Sequence, residues 1–174
     1  TDLEMNGCIV IQYVEETMQY NYQYYEQDCS EINPPVIETA AECFTFDSST
    51  GTITDYSDTC PKDVVIPSMI DGVEVTSIGN NAFRNNQLTS VVIPNSVTSI
   101  GAGAFGVNQL TSVEIPNSVT SIGGGAFNDN RLSDDQAFIY ARNSDGSINN
   151  AKVVSYGGAK RDNVVIPDSV TSIE

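Results

Sequence analysis

One period governs this chain. The stretches SVTSIGAGAFGVNQLTSVEIPN (96–117) and SVTSIGGGAFNDNRL (118–132) align without gaps, and VEVTSIGNNAFRNNQLTSVVIPN (73–95) precedes them. Ile78, Ile100 and Ile122 recur at an interval of 22, as do Phe83, Phe105 and Phe127, and Leu88, Leu110 and Leu132. Ile93 and Ile115, each followed by proline, keep the same interval. A single 22-residue coil cannot enclose these side chains, but stacked coils can, each burying its apolar face on the next at a strand spacing of about 4.8 Å. The predicted core is therefore Ile78, Phe83, Leu88, Ile93, Ile100, Phe105, Leu110, Ile115, Ile122, Phe127 and Leu132.

The letters of one unit say how it turns. Leu88, Val91 and Ile93 face inward on a short strand that Pro94 ends by removing an amide donor. Asn95-Ser96 turns the chain, Gly101 to Gly103 allows a tight bend, and Ala104-Phe105 inserts a ring on the far side. Asn86, Asn108 and Asn130 are placed to hydrogen-bond turn backbone that stacking would otherwise leave unpaired. The expected ladder joins 64–66, 91–93, 113–115 and 164–166 in one parallel sheet, because all four segments end in the same V-x-I-P pattern.

The pattern LTSVxIPNSVTSIGxxAFxxN resembles the BspA-like leucine-rich repeats of bacterial and some protozoan surface proteins, strongly over 64–132 and again over 163–173. The resemblance implies a parallel-strand solenoid at a cell surface, often with adhesive or host-interaction roles. The expected fold class is thus an α/β leucine-rich-repeat solenoid of short parallel strands in 22-residue coils, with an N-terminal amphipathic helix and β-hairpin insertions.

The insertions interrupt the period. AFIYARNSDGSINNAKVVSYGGAKRDNVVIP (137–167) echoes CFTFDSSTGTITDYSDTCPKDVVIP (43–67): an aromatic-rich strand, a Gly-containing turn, a second strand, then VVIP. Both read as hairpins, at 43–60 and 137–160, feeding into a repeat. The expected organisation is an acidic helix and linker or cap over 1–42 and the repeat array over 43–174. Val164 to Ile173 repeats the first ten residues of a unit without its Ala-Phe pair, so the array is expected to be truncated at Glu174, with end-to-end self-association as a consequence.

Ahead of the array, residues 3–28 divide at 100° per residue into a polar arc (Gln12, Glu15, Glu16, Gln19, Gln23, Glu26) and an apolar half (Val10, Ile11, Tyr13, Val14, Met18, Tyr20, Tyr24, Tyr25). This predicts an amphipathic helix, against the preference of the β-branched run Ile9-Val10-Ile11. It serves as a cap for the array or, alternatively, as the soluble remnant of a membrane-anchored, pilin-like helix. Cys43 and Cys60 flank the first hairpin, while Ala137 and Lys160 stand at the matching places of the second, which makes Cys43–Cys60 the candidate disulfide and the compartment oxidising. A continuous helix would hold Cys8 and Cys29 about 32 Å apart, leaving them free or bridged to other chains, unless the helix is broken.

Little in the chain points to chemistry. With no histidine, neither a Ser-His-Asp triad nor a Cys-His dyad can be assembled, and no phosphate-binding loop occurs. Asn143-Ser-Asp145-Gly146 lacks the terminal acid of a calcium loop and reads better as a hairpin turn. The threonines at 89 and 111, and at 98 and 120, form ladders with too few rungs for ice binding. A net charge of −16, with twelve acids and no base in residues 1–61, argues against nucleic acid or an anionic membrane as partner. No enzyme, cofactor or metal is expected. The expected role is extracellular or cell-surface recognition of a protein or glycan through the exposed strand positions Ser90, Val92, Ser112 and Glu114, the alternative being a structural spacer or pilin-like filament component.

Overall fold

The computed structural model describes residues 8–14, 19–25, 37–159 and 162–174. The chain falls into two compact units, Thr1–Val36 and Ile37–Glu174.

In the first unit the sequence expectation is overturned. β1 (Cys8–Val14) and β2 (Gln19–Tyr25) pair antiparallel, with Cys8 opposite Tyr25 and Val14 opposite Gln19. The physical reason lies in the letters. Gln19-Tyr-Asn-Tyr-Gln-Tyr24 alternates strictly, so its polar and apolar residues separate as well at 180° per residue as at 100°. Tyrosine and the Ile9-Val10-Ile11 run then favour the strand. No α-helix occurs among the described residues, and the chain is mostly short strands. The separation argument for Cys8 and Cys29 falls with the helix, and Cys29 itself lies outside the described residues.

The second unit begins with a 3-10 turn (Ala41–Cys43) and a bulged antiparallel hairpin, β3 (Phe44–Asp47) and β4 (Thr52–Tyr56). Next come β5 (Asp63–Val65) and a two-residue-turn hairpin, β6 (Met69–Ile70) with β7 (Val73–Glu74), which takes up the five residues by which the interval of 27 from Pro67 to Pro94 exceeds the repeat of 22. Asp71 and Gly72 make its turn with φ of 50° and 78°, the left-handed conformation such a tight reversal needs. β8 (Ser77–Ile78), β9 (Ser90–Val92), β10 (Ser99–Ile100) and β11 (Ser121–Ile122) follow. A second bulged hairpin, β12 (Phe138–Arg142) with β13 (Ile148–Tyr156), precedes β14 (Ser172–Ile173).

Stacking proceeds at the repeat interval. β4, β8, β10 and β11 pair in parallel, Ile53 beside Ile78 beside Ile100 beside Ile122. On the far side of each coil the Ala-Phe turns bond coil to coil, with Phe83 N donating to Ala104 O (2.8 Å) and Phe105 N to Ala126 O (2.7 Å). The rings of Tyr56, Phe83, Phe105 and Phe127 form a column with successive centroids 5.1, 5.0 and 5.2 Å apart. All three repeat phenylalanines are fully buried. Gly101 shows why the bend carries no side chain: a Cβ there would stand 2.6 Å from the backbone nitrogen of Asn80 in the preceding coil.

The buried asparagines complete the stack. Asn108 Oδ1 accepts from the amides of Asn86 (3.1 Å) and Leu88 (3.0 Å), while its Nδ2 donates to Phe83 O (2.8 Å) and Phe105 O (2.9 Å). Asn130 does the same one coil later, accepting from Leu110 N and donating to Phe105 O and Phe127 O. The threonine ladder is internally employed, since Thr98 Oγ1 donates to Thr76 O and Thr120 Oγ1 to Thr98 O.

The expected four-rung V-x-I-P sheet is not what forms. Only β5 and β9 pair there, in parallel, and neither 113–115 nor 164–166 is a strand. The long ladder instead runs through the Thr-Ser-Ile segments. The V-x-I segments alternate, whereas the Thr-Ser-Ile segments have their apolar residues three apart, as at Val97 and Ile100, so periodicity favoured the segment that does not form the long ladder. At 113–115 the following coil is replaced by the second hairpin, which meets this segment with side chains and offers it no strand.

Candidate binding face

The sequence-nominated residues Ser90 and Val92 lie on β9, and Ser112 and Glu114 lie one coil later. All four are exposed, Val92 to 52%. Among the described residues no hydrogen bond joins 91–93 to 112–115, although the same coils are bonded just upstream, where Gln109 N donates to Leu88 O at 2.9 Å. The coils therefore part along this face. The parting is a groove of about 420 Å3 lined by Ser90 to Ile93, Asn95, Ser112 to Glu114 and Pro116.

The backbone around the groove can be followed bond by bond. Val92 O accepts from Ile66 N (3.1 Å), which turns Ser90 and Val92 toward β5. Strand alternation then aims the amides and carbonyls of Val91 and Ile93 into the groove. The outer edges of the layer are closed. Thr39 covers β5, its backbone nitrogen donating to Val65 O and its Oγ1 accepting from Val65 N, each at 2.9 Å. At the other edge, Gln136 Oε1 accepts from Val113 N (3.1 Å), and Arg142 donates through Nη2 to Ile115 O (3.2 Å). Sequence reasoning missed Gln136 and Arg142 as organisers of this face, because their role depends on a contact 23 and 27 residues away.

The face is acidic. Asp63 Oδ1 accepts from Thr89 Oγ1 (2.6 Å) and Ser90 Oγ (2.9 Å), and these two bonds hold its carboxyl below the ordinary aspartate value. Glu114 is exposed at the groove's lip. Arg142 is a cation at the far edge of this face, and Lys62 precedes Asp63 at the near one. Burial of the Arg142 guanidinium disfavours the charged form, and Nη1 is tied down by Gly146 O.

The nominated core residues are buried, Ile115 only partly and at the layer's last rung. Cys43 and Cys60 are joined by a disulfide closing a 17-residue separation across the base of the first hairpin. In the second hairpin Ala137 takes the place of Cys43, accepting from Gly157 N as Cys43 O accepts from Ser57 N. Lys160 lies outside the described residues. The Asp145 carboxylate is engaged by Ser147, through the amide (3.0 Å) and the hydroxyl (2.6 Å), as Asp47 is by Ser49 in the first hairpin. These are turn bonds.

A family profile described as BspA type leucine rich repeat region matches residues 39–135 in six copies. The chain belongs to this family. The BspA-type match spans the first hairpin and all three Ala-Phe coils. Among solved structures, the crystal structure of a T. pallidum leucine-rich repeat protein (TpLRR) is similar at 24% identity over 57% of this chain and 73% of that chain, with a TM-score of 0.33, too loose a superposition to carry an argument. No curated protein matches. Among the described residues no cluster of three or more acids or cysteines could hold a metal ion, and no helix is long and apolar enough to cross a membrane.

Proposed function

We propose that this BspA-type chain is a non-enzymatic recognition module displayed at or outside the cell surface, with its stacked coils forming a short solenoid over 43–174 that binds a protein partner. The observation that carries this reading is the groove between 90–93 and 112–116. It offers an exposed Val92, unused backbone groups of Val91 and Ile93, and the Glu114 carboxylate at its lip, with the Asp63 carboxylate on the neighbouring strand. A partner fitting it presents an apolar side chain flanked by Lys or Arg. Glycans are less well served, since the groove holds no aromatic ring to stack on a sugar. The disulfide supports an oxidising compartment.

Surface plasmon resonance of the intact chain against purified extracellular-matrix proteins tests the assignment. Binding to at least one of them, weakened at least ~10-fold by Val92→Asp or Glu114→Lys, is expected, as for loss of a central interface contact. Binding unaffected by both substitutions would take the function away from this face.

A second reading, a structural spacer, draws on a specific observation. The ring column and asparagine bonds make the stack stiff, while the exposed rung hydroxyls of Thr98 and Thr120 are spent on backbone carbonyls of the preceding coil. Its pilin-like form rested on the N-terminal helix and is not carried forward.

A further inference from the structure

The two hairpins are equivalent in three dimensions. Phe44 faces Tyr56 across the first and Phe138 faces Tyr156 across the second, with ring centroids 5.3 and 5.1 Å apart. Ile53 pairs with Ile78 in parallel, and Val153 with Ile173. Thr76 N donates to Gly51 O (2.9 Å) and Thr171 N to Ala151 O (2.8 Å), while Gly79 N donates to Ile53 O (2.8 Å) and Glu174 N to Val153 O (3.0 Å). Val64 and Ile66 correspond to Val164 and Ile166 in the shared VVIP segment.

Beside the first hairpin Phe44, Ile53, Tyr56, Val64, Ile66 and Ile78 are buried in one cluster with Phe83 and Leu88. The Phe83 ring sits 5.1 Å from Tyr56 and 6.2 Å from Phe44. Their counterparts, Phe138, Val153, Tyr156, Val164, Ile166 and Ile173, line an open groove of about 430 Å3. There Ile166 is 48% and Ile173 59% exposed, against 2% and 1% for Ile66 and Ile78. We propose that this groove is a preformed seat for the phenylalanine of one further coil of the same repeat, following Ile173 as Phe83 follows Ile78. The second hairpin is then two-sided. Its β13 covers the existing stack, Val154 O accepting from Gly125 N and Ser155 Oγ from Phe127 N, and its Phe138–Tyr156 pair opens a new one.

The occupant is chosen by shape and supply. A coil of the pattern Gly-x-x-Ala-Phe brings one ring flanked by a small residue, which is what the matching six side chains enclose beside the first hairpin. A second copy of the chain does not supply it, because Phe83, Phe105 and Phe127 are fully buried in their own stack. Glu174 at the Gly79 position is compatible with such a coil. A Cβ at Gly79 would stand 3.0 Å from Ile53 O, looser than the 2.6 Å at Gly101, and the Glu174 carboxylate is drawn aside by Lys152.

The test appends a copy of the chain's own residues 80–95 directly after Glu174, in one version unchanged and in a second carrying Phe83→Ala within the appended copy only. The native stack is untouched in both. The unchanged extension is expected to raise the thermal midpoint by ~5 °C or more and to slow amide exchange at Val153 and Ile173 by roughly tenfold or more, whereas the alanine version achieves less than half of either. Equal effects from the two extensions, or no effect from either, overturn the proposal. So does sedimentation of the unextended chain as a dimer with these amides already protected, which would give the seat to a second copy.

Discussion

The side-chain oxygen of Asn108 lies 3.1 Å from the backbone nitrogen of Asn86, so an asparagine of one coil closes the turn of the coil before it. Its amide nitrogen simultaneously reaches carbonyls of both coils, at Phe83 and Phe105. Asn108→Ala would strand several buried backbone groups, each costing about 1–3 kcal/mol when left unpaired. We expect a loss of at least ~3 kcal/mol in urea unfolding, the lower end of the summed cost. A loss under ~1 kcal/mol would mean that water replaces the side chain at little cost.

Phe105 stands between Phe83 and Phe127 in the ring column, with no exposed surface. Phe105→Ala should cost ~3–5 kcal/mol, the transfer term plus a cavity that rigid neighbours cannot close. Val92→Ala, half-exposed on the groove, should cost well under ~1 kcal/mol. Equal losses in the two variants would contradict the assignment of faces.

The Cys43–Cys60 bridge closes a 17-residue separation. Non-reducing peptide mapping should recover that linked pair, and the double variant Cys43→Ser, Cys60→Ser should lose ~3 kcal/mol, the chain-entropy value for a loop of that length. Recovery of Cys43 linked to Cys8 or Cys29 would refute the pairing.

Asp63 gives a dependence on pH with a definite sign. Hydrogen bonds from Thr89 and Ser90 lower its folded-state value below the unfolded one, so its contribution is present above the unfolded value and lost as pH falls through the folded one. The stability difference between the native chain and Asp63→Asn should therefore be constant near neutrality and shrink on acidification from about pH 4 downward. A difference that grows in acid would reverse the assignment.

The stack was legible in the sequence where one interval carried all the information. Phe83, Phe105, Phe127 and the three asparagines repeat at 22, and each is buried against its counterpart in the neighbouring coil. The N-terminal strands were not legible in this way, because Tyr20 and Tyr24 fit a helical face and, with Tyr22, a strand alternation equally well, and the pairing with the partner strand decides between them. The candidate face was legible only as exposure. That the layer ends there depends on Gln136 and Arg142, whose side chains occupy backbone groups that a further strand would have used. No local pattern encodes that substitution, since it is made by an inserted hairpin and not by the repeat.

The equivalence of the two hairpins also bears on how such a chain lengthens. Ile53, Tyr56, Val64 and Ile66 recur one hundred positions later as Val153, Tyr156, Val164 and Ile166. A duplication of that whole block joins hairpin to coil through contacts already present at the original junction, so the copy needs no new interface. Duplicating a single coil within the block preserves its neighbours' register as well, whereas losing one residue breaks the 22-residue match along the rest of that stack. Such genes would therefore vary in length by whole coils or whole blocks and tolerate single-codon insertions mainly at the Asp71-Gly72 turn, where the period is already suspended and no neighbouring atom crowds Gly72.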